Sequence, residues 1–118
     1  MTKEQIQNEL LDAVAERDRL AESYQKHLID SVNAEHSFTL AHATNMLKAE
    51  GKNSDQREAF VITAIAPQRL DYKLAEASAK GVREILNAKA DKINAMQSLL
   101  RAEMQEADLL RFNQRNGA

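Results

Sequence analysis

The sequence predicts an all-α protein: two long helices in an antiparallel hairpin, joined by a short apolar segment and assembling into a helical bundle or oligomer. Three observations lead there. Among 118 residues there are 19 Ala but only 3 Gly and 1 Pro, so few positions interrupt a helix. Apolar residues recur at spacings of three and four along most of the chain, which is the period of a helix face and not of a strand. Gly51 and Pro67 then divide the periodic stretches where a helix stops and another begins. The expected layout is one domain over 1–118, with helices at 2–50, 54–66 and 67–112 and a frayed tail over 113–118.

The first helix opens on Thr2 and Gln5, spaced as a capping box in which each side chain reaches the other residue's backbone amide. No breaker follows before Glu50. Ile6, Leu10, Val14, Ala21, Tyr24, Leu28, Val32, Phe38 and Met46 fall near one face, and Arg17, Ser31, Glu35 and His42 fall at or beside positions where a clean seam would be apolar. Gly51 suits a left-handed C-cap, and Asn53 or Ser54 suits the N-cap of the next helix. Phe60-Val61-Ile62-Thr63-Ala64-Ile65-Ala66 is apolar all round, which predicts burial on every side as a helix, with a short strand as the alternative. Pro67 marks the next boundary, because it lacks an amide donor yet is favoured in a first turn.

The last helix has the most regular pattern. Tyr72, Ala75, Ala79, Val82, Leu86, Lys89, Ile93, Met96, Leu100, Glu103, Ala107 and Leu110 alternate by three and four, a heptad seam read as the surface of oligomer packing. Leu70, Leu74, Ile85, Leu99 and Leu109 widen the apolar face and predict more than one neighbouring helix. Lys89 and Glu103 break the seam; they either mark where it meets solvent or pair with charges on a neighbour and fix its register. A rod of two such helices leaves apolar surface uncovered. Either further copies of the chain cover it, or the first helix breaks near Ser31–His36 and folds back.

Composition narrows the function classes. Without Cys there is no disulfide, thiolate nucleophile or cysteine zinc site. The histidines form no Glu-x-x-His pair, since Tyr24, Asn33 and Thr39 stand three residues before His27, His36 and His42, and no two His are four apart. Gly51, Gly81 and Gly117 are isolated, so no phosphate loop exists, and no Ser sits at a strand-to-helix elbow. The expectation is a non-enzymatic protein with no catalytic residue, metal, cofactor or small-molecule substrate. No apolar run has signal-peptide or membrane-spanning length, which predicts a cytoplasmic protein without a membrane partner.

Charge is unevenly divided. Residues 1–50 hold five Lys/Arg against nine Asp/Glu, a balance of −4, whereas residues 51–118 hold eleven against nine, a balance of +2. Arg69, Lys73, Lys80, Arg83 and Arg101, with Asn87, Asn94 and Gln105, lie opposite the heptad seam. Such a row could serve a nucleic-acid backbone, but Glu76 and Glu84 interrupt it, which favours a solvated helix back.

The run Met46-Leu47-Lys48-Ala49-Glu50-Gly51-Lys52-Asn53, followed by Gln56-Arg57-Glu58-Ala59, resembles the helix-turn-helix corner of small all-helical proteins of tailed bacteriophages. Leu99-Leu100-Arg101-Ala102-Glu103-Met104 is similar to their closing stretch. The resemblance implies a phage early-region protein of a group often encoded near recombination and replication genes, placed in the host cytoplasm. It brings no catalytic residue, and it fits Arg57 as a structural residue of the corner with Glu50 as its partner. Joined to the basic row, it implies an accessory protein of DNA recombination or replication, a mediator-like homo-oligomer contacting single-stranded DNA or a recombinase. The alternative is a helical scaffold or interaction module, including an inhibitor of a host protein, that uses the acidic residues Glu9, Asp12, Glu16, Asp18 and Glu22.

Overall fold

Local sequence signals set the helix ends, and the computed structural model describes residues 1–51 and 53–116. Helix α1 (Lys3–Lys48) begins at the expected box: the Thr2 amide donates to Gln5 Oε1 at 2.8 Å and the Gln5 amide to Thr2 Oγ1 at 3.2 Å. It ends before Gly51, whose φ of +89° is the left-handed conformation that glycine adopts without steric cost. Asn53, not Ser54, caps helix α2 (Ser54–Ala64), its Oδ1 accepting from the Gln56 amide at 2.8 Å. Lys52, part of the corner motif, lies outside the described residues.

Helix α3 (Ala66–Asn116) starts earlier than Pro67 predicts. Ile65 closes α2 by donating its amide to the Val61 carbonyl at 3.0 Å, and its own carbonyl accepts from the Arg69 amide at 2.9 Å. Pro67 therefore sits inside the first turn of α3, where its missing donor would have had no intrahelical partner. At the other end α3 continues through Asn116, four residues into the expected frayed tail, because Asn113, Gln114 and Arg115 contain no breaker. Gly117 and Ala118 lie outside the described residues. Helix accounts for 94% of the structure, and among the described residues there is no strand, so residues 60–66 are not the short strand that was the alternative.

The chain is all-α with α1 packed antiparallel to α3 as a hairpin, and its contacts group into two units. In the first unit, residues 1–21 meet α3 from Glu84 onward. Ile6, Leu10, Ala13, Arg17 and Leu20 alternate by three and four and are buried or half-buried; Ile93 and Met96 are the buried residues on α3. Lys89 pairs with Glu16 of α1, which is the register-fixing alternative for this seam lysine. Glu103 is half-buried and makes no ion pair among the described residues.

The second unit runs from Glu22 to Arg83. Its α1 row is Tyr24, His27, Ser31, Ala34, Phe38, Ala41 and Asn45, again by threes and fours, facing Tyr72, Ala75, Ala79 and Val82. Phe38 and Tyr72 set its phase, with ring centroids 5.8 Å apart. The corner cluster joins Ala49, Val61 and Ile65, with Phe38, Ala41 and Phe60 packed against them. The helix does not break near Ser31–His36.

Three expectations are corrected here. The apolar face expected through Ala21, Leu28, Val32 and Met46 is exposed, with Val32 at 63%, because Phe38 and Tyr24 set a phase that turns these residues sideways. Arg17, His27, Ser31 and Asn45 take the inward positions instead, and the Asn45 amide is satisfied by the Ala41 carbonyl at 2.7 Å. The segment 60–66 is covered on one face only: Val61 and Ile65 are buried, whereas Ile62 is 53% exposed, since an 11-residue helix lying on α1 has one side to offer. The seam of α3 is occupied by α1 of the same chain and not kept for a second copy, and Leu110 is exposed at 57%. With Lys89 beside Glu16, α1 begins at Lys3, near residue 102 of α3, and leaves Leu110 nothing to meet.

Candidate functional site

The cations of α3 owe their exposure to the seam: Lys73, Lys80 and Arg83 each follow a seam residue, Tyr72, Ala79 or Val82, and so point about 100° away from α1 into solvent, beside the seam and not opposite it. Arg69, Lys73, Lys80 and Arg83 all lie in the second unit and are exposed. At 1.5 Å per residue they run along about 21 Å of helix, a span that three or four nucleotides of an extended strand can follow. Arg101 is also exposed but belongs to the first unit, so the site is built from the other four.

The four are not equivalent. Lys73 Nζ lies 3.7 Å from Glu76 and 5.4 Å from the centre of the Tyr72 ring, so part of its charge is already matched. Arg69, Lys80 and Arg83 have no ion pair among the described residues. A hydrogen bond to Glu76 holds the Tyr72 hydroxyl above its ordinary pKa, with desolvation and the charge of Glu35 acting the same way. Tyr72 is half-buried, with the Phe38 ring packed against it at a centroid distance of 5.8 Å.

An apolar surface adjoins the cations. Ile62, Ala66 and Leu70 form the floor of a shallow depression of about 250 Å³ whose rim carries Arg69 and Lys73. Leu70 and Ile62 are 59% and 53% exposed, so this floor is open to a planar ring while the two cations stand within reach of its phosphate. The sequence pattern gave no sign of this arrangement: Leu70 reads as packing surface and Ile62 as core. Ile62 is exposed because α2 is buried on one side only, and Leu70 because it stands two residues before Tyr72, on the side of α3 turned away from α1.

On the other side of Ile62 lies a groove of about 490 Å³ at the helix corner, lined by His42, Met46, Ser54, Arg57, Glu58, Val61, Ile62 and Ile65. Arg57 borders this groove and makes no ion pair with Glu50, the partner expected for it. Among the described residues no group of three His, Asp or Glu is placed to hold a metal ion, and no helix is long and apolar enough to cross a membrane.

The acidic residues of α1 are partly committed. Glu16 is held by Lys89, whose hydrogen bond and charge keep its carboxyl below the ordinary carboxylate value, and Asp18 lies 3.5 Å from Arg17. Glu9, Asp12 and Glu22 are exposed.

The fold is a helical hairpin that carries exposed cations beside an open apolar depression. Comparison with protein-family models, curated proteins and solved structures found no match.

Proposed function

We propose that the protein is a non-enzymatic accessory factor of phage DNA recombination or replication, acting in the host cytoplasm as a homo-oligomer that contacts single-stranded DNA through the start of α3. The observation carrying this reading is the pairing of an open apolar floor, Ile62 and Leu70, with the exposed cations Arg69 and Lys73, followed along the helix by Lys80 and Arg83. Single-strand binders set phosphates against Lys and Arg and bases against aromatic rings, without a sequence code; in this reading the aliphatic Ile62 and Leu70 supply apolar contact to a base in place of a ring. Contact with a recombinase fits the same surface as a second step after strand capture.

Four phosphate contacts to a single strand give a log–log salt slope of about −3, so a threefold rise in salt weakens binding by roughly twentyfold. Fluorescence anisotropy with a labelled oligothymidine tests this. Arg69→Glu, Lys80→Glu and Arg83→Glu each lower affinity and flatten the salt slope. Binding that keeps its slope in the triple variant rules the site out.

A second reading, a protein-interaction module, is favoured by the corner groove, which has Val61 and Ile65 at its base and His42, Arg57 and Glu58 at its edge. Under this reading Arg57→Ala and Glu58→Ala abolish capture of a partner protein while the oligonucleotide has no effect on the chain.

A further inference from the structure

The buried row of α3 in the first unit includes Leu86, Lys89, Ile93, Met96, Leu100 and Glu103. The residue before each one, Ile85, Ala88, Lys92, Ala95, Leu99 and Ala102, repeats the same spacing, and every one of them is exposed. Glu106 and Leu109 continue this second row. One residue turns a helix by about 100°, so the row points roughly at right angles to α1 and leaves room for another helix beside the hairpin. Ile85, Leu99 and Leu109 are 49%, 41% and 61% exposed, an apolar line that the isolated chain does not use.

Its two charges say what covers it. Lys92 and Glu106 are the charged members of the row, and neither has an ion pair in the chain among the described residues. In a parallel, in-register pair each would face its own copy, like against like. In an antiparallel pair that sets Ile85 against Leu109, the rest follows from helix geometry: Ala88 meets Glu106, Lys92 meets Ala102, and Ala95 meets Leu99. All eight positions are then matched. Lys92 also lies one turn, about 6 Å, from Glu106 of the second copy, within the reach of a lysine side chain.

We propose that this row is the dimer interface of the protein: two copies pair antiparallel through α3 about a twofold axis near Gln97, with Lys92 and Glu106 bridging the copies at both ends. The interface is isologous and closes on itself. It spans about 36 Å of helix and falls at the small end of specific interfaces, so the dimer is reversible. The proposal rests on the oligomer part of the proposed function alone and holds whether or not nucleic acid binds.

The chain has no Cys, so single cysteines report without background. Full-length Ile85→Cys and Leu109→Cys are each treated with a short bis-maleimide crosslinker, alone and mixed, after circular dichroism shows both are helical. Crosslinked dimer in the mixture and not in either protein alone is the expected result, because in the antiparallel pair each position is about 36 Å from its own copy. Crosslinking of each protein alone means a parallel pair and overturns the proposal. No crosslinking in any sample, or a wild-type chain that is monomeric by light scattering at about 100 µM, also overturns it, as does a higher polymer built through another face. A charge swap is the second measure: Lys92→Glu or Glu106→Lys weakens the dimer severalfold and the double variant restores it. Loss of oligonucleotide binding with the mixed crosslink intact overturns the nucleic-acid reading and leaves the dimer standing.

Discussion

Replacing Ile65 by Ala tests the one-sided burial of the corner. Ile65 is 5% exposed and packs with Ala49 and Val61, with Phe38, Ala41 and Phe60 against them. The change removes three carbons, about 2.4 kcal/mol at ~0.8 per buried methylene. Ile65 caps α2 with φ −99° and ψ 3°, outside regular helix, so Ala gains no helix propensity there. The hole opens on the corner groove, which Ile65 lines, and water entry keeps the cavity penalty small. The expected loss is about 2–3 kcal/mol. Ile62→Ala, three residues away and 53% exposed, forfeits about half the transfer energy and recovers ~0.4 kcal/mol of propensity, for a loss under about 1 kcal/mol. Urea unfolding followed by circular dichroism at about 1 µM, where assembly is suppressed, reads the difference. With a slope near 1.5 kcal/mol per molar, Ile65→Ala lowers the midpoint by about 1.5 M and Ile62→Ala by under about 0.7 M. Equal shifts would mean that segment 60–66 is buried all round and not on one face.

Three more predictions follow from particular residues. Gly81→Ala stabilises the chain by about 1 kcal/mol, because Gly81 is helical and an added Cβ meets nothing within 4 Å, while Gly51→Ala destabilises it by about 1 kcal/mol through its φ of +89°; thermal unfolding should move in opposite directions. The lowered Glu16 pKa stabilises the fold above the ordinary carboxylate value of 4.5, and this contribution disappears as pH falls through the depressed pKa; the stability gap between wild type and Glu16→Gln should close in acid and at high salt. In a Tyr24→Phe background, the phenol titration of Tyr72 has its midpoint above 10.0, and Glu76→Gln moves it down because the hydrogen bond to Glu76 is the largest cause; an unchanged midpoint contradicts that assignment.

The helical class, the capping box at Thr2 and Gln5, the Gly51 stop and the α3 seam were legible in the sequence, because each depends on local chemistry or a single period. The phase of α1 was not. Two rows one step apart, one through Tyr24 and Phe38 and the other through Leu28 and Val32, compete on apolar content, and tertiary contacts choose between them: Phe38 with Tyr72, and Phe38 and Ala41 with the corner cluster. His27 and Ser31 sit inward because that ring contact fixes their positions, so their polarity misleads a reading based on hydrophobicity. At the candidate site, the cations Arg69, Lys73, Lys80 and Arg83 were visible as a row, whereas the apolar floor beside them depends on how α2 lies and on Ile62 turning outward. Arg101 shares the face by spacing, but its contacts belong to the other unit, which spacing alone does not reveal.

Strand binding by the dimer is tested most directly by light scattering on a sizing column, run with and without a fluorescent single-stranded oligonucleotide at low and moderate salt. The expected result is a dimer that carries the oligonucleotide at low salt and releases it when salt is raised, with Arg69→Glu, Lys80→Glu and Arg83→Glu together preventing co-elution while leaving the dimer intact. A dimer or monomer that elutes free of the oligonucleotide at low salt means that the start of α3 does not hold single-stranded DNA.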